Sequence, residues 1–420
     1  MSNQMKHKNA AVKLLVVGQT PPPYMGQAMM IDRLVKAEFT KIKIYHVRMS
    51  FSDSFKSVGN FRFSKIVHLF EVLWKMLEIR FGQDVHILYY PPAGPSRTPV
   101  FRDIVLLGLS RIFFKNIIYH FRAAGISEFL DKQPTWFRKL AKTAYGRPDL
   151  SIQLSALNPS DGNYFGSEKV CIIANGLEDA ALPYIPFERN TGDTVHILFV
   201  GVLRQDKGVD VLIEAANLLK EKRIRFKVTI VGEFVSTEYE EHVMKRIHGC
   251  NLEDYIELTG TLAGDAKWQQ YMQAHVFCFP SYFESESFGN VLVEAMMFNL
   301  PVVSTYWRGI PDIVVNEETG FLTTIQSPEG VAEKLLVLIQ EPALRKRMGE
   351  KGRQRYLEKF SLQTHLSAME DALFSVTVPQ AVVPNRVINE APETVSIQAQ
   401  SDILLSVGKP SEGLGSRNAS

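Results

Sequence analysis

An α/β fold of two doubly wound domains facing a cleft is predicted by three features of this sequence. Short continuous apolar runs alternate with longer stretches of helical period almost throughout, the pattern of parallel sheets covered by helices on both faces. The alternation restarts at Val195-His-Ile-Leu-Phe-Val-Gly201, after a polar, proline-bearing stretch at 178–193 that reads as a hinge. The chain has 420 residues, more than one hydrophobic core usually supports.

The first strand is read at 12–18. Its apolar run, Leu14-Leu-Val-Val17, follows a basic start but is too short for a signal-peptide core, and Gly18 and Pro21-Pro-Pro23 stand where a cleavage site would be. Further buried strands are read at 42–47, 85–90, 116–121, 150–154 and 170–174, with helices at 26–36, 64–80, 98–114 and 135–145. In the second half, strands at 195–201, 227–232, 256–260, 276–280 and 301–305 alternate with helices at 208–222, 237–248, 265–273 and 289–298. Helices at 330–340, 342–359 and 361–375 close the pattern. Domains are expected at 11–180 and 190–360, with 361–375 packing back on the first. From 379 to 420 Pro, Ser, Gln, Asn and Gly dominate without periodicity, and disorder is expected.

Composition removes several function classes. Lys and Arg number 47 against 45 Asp and Glu, a balance that argues against nucleic-acid binding through bulk charge. Cys171, Cys250 and Cys278 are far apart, so neither a disulfide framework nor a zinc site is expected, and a reducing cytoplasm fits. No run of ~18 uninterrupted apolar residues exists to span a membrane. The chain has no Gly-x-Gly-x-x-Gly, no Gly-x4-Gly-Lys-Ser/Thr and no Gly-x-Ser-x-Gly, which counts against nicotinamide enzymes, ATPases and the usual hydrolases.

The most informative segment is 279–305. A strand runs into a loop bearing Glu284 and Glu286, Gly289 stands where a helix begins, and Glu294 lies inside that helix. A helix start offers unpaired N–H groups and a positive dipole end to phosphate. Ionised carboxylates only accept hydrogen bonds, which suits sugar hydroxyls. One loop with both features should hold a phosphorylated sugar. Gly201-Val-Leu-Arg-Gln-Asp-Lys-Gly208 also joins a strand to a helix, and Arg204 with Lys207 reads as a diphosphate clamp or as ordinary surface cations. Gly26, after the three prolines, either brings a helix start to phosphate or completes a turn. His120, with Arg122 at the end of strand 116–121, is read as a ligand contact or as a structural histidine. Asn175-Gly176 reads as a structural turn. No Asp-x-Asp occurs, so no metal is expected.

Together these segments resemble the family 4 retaining glycosyltransferases, which have the GT-B fold of two Rossmann-like domains. The resemblance rests on Phe199-Val-Gly201, Lys207-Gly208, Val231-Gly232, Gly260, Pro280-Ser281, Glu286-Ser-Phe-Gly289 and Glu294-Ala295. It continues through Pro301-Val-Val-Ser304, Gly309-Ile-Pro311 and Thr319-Gly-Phe-Leu322. It is strong over 165–360 and holds only in outline over 12–165. It implies an N-terminal acceptor domain and a C-terminal domain binding a nucleotide-diphosphate sugar, a hexosyltransferase that retains anomeric configuration, and no cofactor. Arg204 and Lys207 would contact the diphosphate and Glu286 the sugar hydroxyls. The backbone of Phe288, Gly289, Asn290 and Val291 would contact sugar and phosphate, and Glu294 the ribose. His120 and Gly26 would reach across from the first domain. Two departures stand out: Val202 replaces the arginine common after the strand glycine, and Gly26-Gln27 replaces Gly-Gly.

The stretches 64–79 and 102–115, with 136–142, combine large apolar residues and cations. They read either as helices packed on the N-terminal sheet or as a peripheral contact with an anionic membrane carrying a lipid-linked acceptor, on its cytoplasmic face. The leading function is hexose transfer from a nucleotide sugar to a glycan or lipid-linked glycan in cell-surface polysaccharide biosynthesis. The alternatives are a nucleotide-sugar epimerase or hydrolase of the same fold, and a non-catalytic GT-B binding module.

Overall fold

The computed structural model describes residues 11–22, 26–49, 63–187, 189 and 192–377. The tail expected to be disordered, the tip of the proline loop at 23–25 and parts of the hinge lie outside them. The described residues form one compact unit with two lobes. The N-terminal lobe runs β1 (Val12–Gly18), α1 (Gly26–Lys36), β2 (Ile42–Arg48), α2 (Phe63–Gly82), β3 (Ile87–Tyr90), α3 (Arg97–Ser110) and β4 (Asn116–Phe121). It continues with α4 (Ile126–Asp131), α5 (Thr135–Tyr145), β5 (Leu150–Gln153), α6 (Asp161–Tyr164) and β6 (Lys169–Ile172).

The C-terminal lobe runs β7 (Val195–Val200), α7 (Val209–Glu221), β8 (Phe226–Val231), α8 (Thr237–Gly249), β9 (Ile256–Gly260), α9 (Gly264–Gln273) and β10 (Val276–Cys278). Then come α10 (Asn290–Met297), β11 (Val302–Thr305), α11 (Ile310–Ile313), β12 (Gly320–Thr323), α12 (Pro328–Gln340), α13 (Pro342–Arg355) and α14 (Leu362–Ser375).

Each lobe has a six-stranded, all-parallel sheet, ordered β2-β1-β3-β4-β5-β6 in the first and β12-β11-β10-β7-β8-β9 in the second. Strand order reverses between β1 and β3 in one sheet and between β7 and β10 in the other. Chain segments leaving neighbouring strands there diverge to opposite faces and leave a crevice at the carboxyl ends. Both faces of the N-terminal sheet are covered, which is why its strands are continuously apolar. Leu15 and Val17 of β1 meet α2, α3 and α5, while Leu14 and Val16 meet α1 and α14.

The terminal helix α14 thus belongs to the first lobe's core, through Met369, Ala372 and Leu373. Its approach crosses the chain segment joining the lobes: the Leu177 amide donates to Phe360 and the Leu362 amide to Leu177. A Cβ on Gly176 would lie 2.3 Å from His365 Cβ, so this turn needs glycine to let α14 dock.

Several expected boundaries move, for backbone reasons. Strand 276–280 ends at Cys278 because Pro280 has no N–H to continue a ladder, although the Phe279 amide still reaches Val303. Strand 85–90 starts at Ile87, since the Val85 amide closes the end of α2 on Arg80. Helix 98–114 ends at Ser110 and tightens into a 3-10 turn at Arg111–Phe113. Helix 342–359 is regular to Arg355 and widens into a π turn at Tyr356–Phe360. The sequence reading omitted α4, α6, α11 and β12, each only four to six residues long.

Candidate active site

The strands flanking the second switch point carry the two informative loops. After β7 the chain turns through Arg204, Asp206 and Lys207 into α7; after β10 it passes Ser281, Phe283 and Glu286 into α10. The Lys207 ammonium lies 2.6 Å from Glu286 Oε2, and the Ser281 hydroxyl donates to the same oxygen at 2.9 Å. Lys207 also stands 4.3 Å from the Phe283 ring centroid, with the Arg204 guanidinium 4.6 Å from the same ring. The loops are fitted backbone to backbone. Gly208 has φ +84°, and a Cβ there would lie 2.2 Å from the Pro280 carbonyl oxygen. Only glycine permits that approach.

The sequence reading offers Arg204 and Lys207 as a diphosphate clamp or as ordinary surface cations; in the structure each of them is paired with a carboxylate. Arg204 is paired with Asp206, Nη2 donating to Oδ2 at 2.7 Å with Nε 2.5 Å from Oδ1, and Lys207 is bound to Glu286. The reason is the cost of desolvation: Lys207 and Glu286 are largely buried, and a buried charge must be paired. Glu294 is likewise engaged, by Lys267 and by the buried Tyr271 hydroxyl, each at 2.7 Å. An ionised carboxylate keeps further lone pairs, so neither Glu286 nor Glu294 is saturated.

The helix start is as expected in kind and one residue later. Gly289 has φ +92° and precedes α10, whose first residue is Asn290. The Phe288 side chain is buried edge-on against Phe360, which leaves its backbone, with those of Gly289, Asn290 and Val291, at the helix start. Gly26 opens α1, and a Cβ on it would lie 3.6 Å from Asn290 Nδ2. Two helix N-termini, one from each lobe, therefore face each other, and their dipoles favour an anion there.

His120 is fully buried at the end of β4. Arg122 Nη2 donates to the Tyr89 hydroxyl at 3.3 Å, and that hydroxyl is 2.7 Å from His120 Nδ1. Among the described residues the hydroxyl has no other acceptor, so it is satisfied by giving its proton to Nδ1, which places the imidazole proton on Nε2. Nε2 is buried with no partner among the described residues, so His120 presents an unused N–H donor. Burial, with Arg122 and then His365 nearby, pushes its pKa well below the usual value and keeps the ring neutral.

The lobes meet directly around these groups. Asn158 Nδ2 donates to the Ser287 carbonyl (2.8 Å), and the Ser287 hydroxyl donates to the Arg122 carbonyl (2.5 Å). Arg122 donates to Asn175 Oδ1 (3.1 Å), and Asn175 Nδ2 donates to Asn290 Oδ1 (3.0 Å). Asp312 accepts from the Ser155 hydroxyl and the Ala156 amide, and Arg308 forms a bidentate pair with Glu128. None of Asp206, Lys267, Asn158, Ser287 or Asn175 was singled out for these contacts from sequence. Only Lys267 and Tyr271 leave a trace, an i, i+4 pair on one helix face.

Residues 185–355 match the family described as Glycosyl transferases group 1. The capsular polysaccharide biosynthesis glycosyltransferase CapM of Staphylococcus aureus is 30% identical over 219 residues, 50% of this chain and 52% of that protein. The putative colanic acid biosynthesis glycosyltransferase WcaL of Escherichia coli is 27% identical over 266 residues, 62% of each. The chain thus spans about half the length of the curated relatives it matches. Among solved structures, sucrose-phosphate synthase from Thermosynechococcus elongatus superposes with a TM-score of 0.67 at 16% identity, over 87% of this chain and 99% of that one. Anabaena HepE in complex with UDP-glucose superposes with a TM-score of 0.63 at 17% identity, over 86% and 99%. Residues 185–355 therefore belong to the glycosyl transferases group 1 family, and the two lobes share the GT-B fold of these solved proteins.

Proposed function

We propose that the chain is a retaining glycosyltransferase that moves a hexose from a nucleotide-diphosphate sugar to a glycan or lipid-linked glycan acceptor in cell-surface polysaccharide biosynthesis. The observation that carries this reading is the Lys207–Glu286 pair, set at the strand switch point beside the opposed starts of α1 and α10. The donor diphosphate lies at those helix starts, where Lys207 and Arg204 offset its charge. Glu286 accepts from sugar hydroxyls, Glu294 from the ribose, and the His120 Nε2 proton is donated to the sugar. The names of CapM and WcaL support the pathway, and the UDP-glucose in the HepE complex supports the donor class.

In this reaction the bond from the anomeric carbon to the diphosphate oxygen breaks, and the acceptor oxygen bonds to the same face. The acceptor proton passes to the departing phosphate oxygen. Cations and helix-start amides stabilise the leaving diphosphate, and the reading needs neither metal nor other cofactor. The three free thiols fit a cytoplasmic site of action, with peripheral contact to the inner membrane face when the acceptor is lipid-linked. Lys207→Ala should lower transfer about 10²–10³-fold and, because it strands the buried Glu286 carboxylate, should also lower the unfolding temperature, so the rate is read well below it. Radiolabelled-sugar transfer measures this, after a thermal-shift screen of UDP-, GDP- and ADP-sugars has identified the donor. An unchanged rate would remove the clamp. Sugar-nucleotide turnover that proceeds equally without acceptor would replace transfer by epimerisation or hydrolysis.

A further inference from the structure

We propose that the outer face of α2, α3 and α5 is a docking surface for an anionic phospholipid bilayer. Sixteen large apolar side chains stand exposed among the described residues, and nine lie on these three helices and the turn after α3. Trp74 is 72% exposed, Ile112 77% and Trp136 66%, with Phe70, Phe101 and Leu140 beside them. The helices form one layer, with α3 packed on both α2 and α5. Their inner faces already supply the core: Val72 and Met76, Val100 and Ile104, Phe137 and Ala141. Core packing therefore explains one side of each helix and leaves the other side apolar without cause. A shallow groove of about 570 Å³ runs along the exposed side of α2, lined by Phe70, Leu73, Trp74 and Leu77.

Charge selects the occupant. Among the exposed charged side chains of α2, α3 and α5, Lys75, Arg97, Lys139 and Lys142 stand against Glu71 and Glu78, a two-to-one positive excess, whereas the whole chain has 47 Lys and Arg against 45 Asp and Glu. Helix α5 has no acidic residue, and its exposed Lys139 and Lys142 alternate with Trp136 and Leu140. Aromatic side chains among lysines match an anionic lipid interface, where rings sit at headgroup depth and ammonium groups meet phosphate. A second copy of the chain would set like charges against each other. Segment 50–62, with Lys56 and Arg62 against Asp53, would not neutralise the face either. Among the described residues no helix is long and apolar enough to cross a bilayer, so the contact is peripheral. Helix α3 follows the carboxyl end of β3, the end of the sheet at which the cleft opens. A bilayer there presents lipid-linked acceptors to the site, and that one consequence rests on the proposed transfer.

The test is sedimentation of the full chain with vesicles of phosphatidylcholine, alone or mixed with phosphatidylglycerol. The expected result is binding to the anionic vesicles about tenfold above neutral ones. Trp74→Glu with Trp136→Glu should lower binding at least about tenfold, while Lys139→Glu with Lys142→Glu abolishes the anionic preference. Brominated lipid should quench tryptophan fluorescence in the native chain and not after Trp74→Phe with Trp136→Phe. Equal partition to both vesicles, no partition, or binding indifferent to these substitutions overturns the proposal. So does a dimer that Trp74→Glu dissolves in sedimentation equilibrium, which would give the face to a second copy. Sugar-nucleotide binding by the same samples separates the outcomes: vesicle binding without it sinks the donor reading alone, and the reverse sinks the surface alone.

Discussion

His365 joins the terminal helix to the floor of the cleft, with Nδ1 2.7 Å from the Ala174 carbonyl and Nε2 buried without a partner among the described residues. Burial and the nearby Arg122 lower its pKa from 6.5 to about 4, against the smaller opposing effect of the Ala174 bond. The sign follows from linkage. Between pH 6.5 and 4 the unfolded chain holds a proton on this ring that the folded chain does not, so stability is full above about 6.5 and falls as pH falls toward 4. The loss is on the order of 3 kcal/mol. Urea melts across that window should show the decline, and His365→Asn should flatten it; an equal slope in the variant would place the titration elsewhere. At this scale the sequence showed which residue types matter and not whom they touch. The Glu286 and Glu294 positions were legible from the helix start between them, but their partners, Lys207 and Lys267, lie 79 and 27 residues away in sequence.

The turn between β7 and α7 is the element on which the site geometry depends. Gly208 takes φ +84° and lies against the Pro280 carbonyl, so it fixes the spacing between the Lys207 and Glu286 loops. Gly208→Ala forces both a strained backbone and a clash, and should cost about 1–3 kcal/mol, with a parallel loss of transfer. Denaturant unfolding reads the first effect and a transfer assay the second; native stability in the variant would mean that the turn relaxes freely. Elements were the best-read level of the sequence, because apolar periodicity is local. Helices α1 and α5 and strands β1, β4 and β9 keep their expected bounds. Boundaries moved where a single hydrogen bond decides, as at Pro280 and Val85. Four-residue elements such as β12 carry too few residues to show a period.

At the scale of the molecule, the two lobes are held by polar contacts, some of them buried. Asp312 takes two hydrogen bonds from Ser155 and Ala156, and Gly309 lets the Ser287 carbonyl approach at the same seam. Asp312→Ala leaves those donors unpaired and should shift the chain toward an open arrangement. Small-angle scattering should show a larger radius of gyration, and transfer should fall several-fold, with each lobe's secondary structure intact. An unchanged radius would assign closure to other contacts, such as Arg308–Glu128. The sequence by itself determined the two parallel sheets and the strand-to-helix loops at 201–208 and 280–289, since apolar period and turn residues act within a few positions. Tertiary structure alone decided strand order, the return of α14 to the first lobe, the pairing of each cation and the tautomer of His120. Those depend on groups far apart in the chain, brought together only when burial makes an unpaired charge or donor too costly to keep.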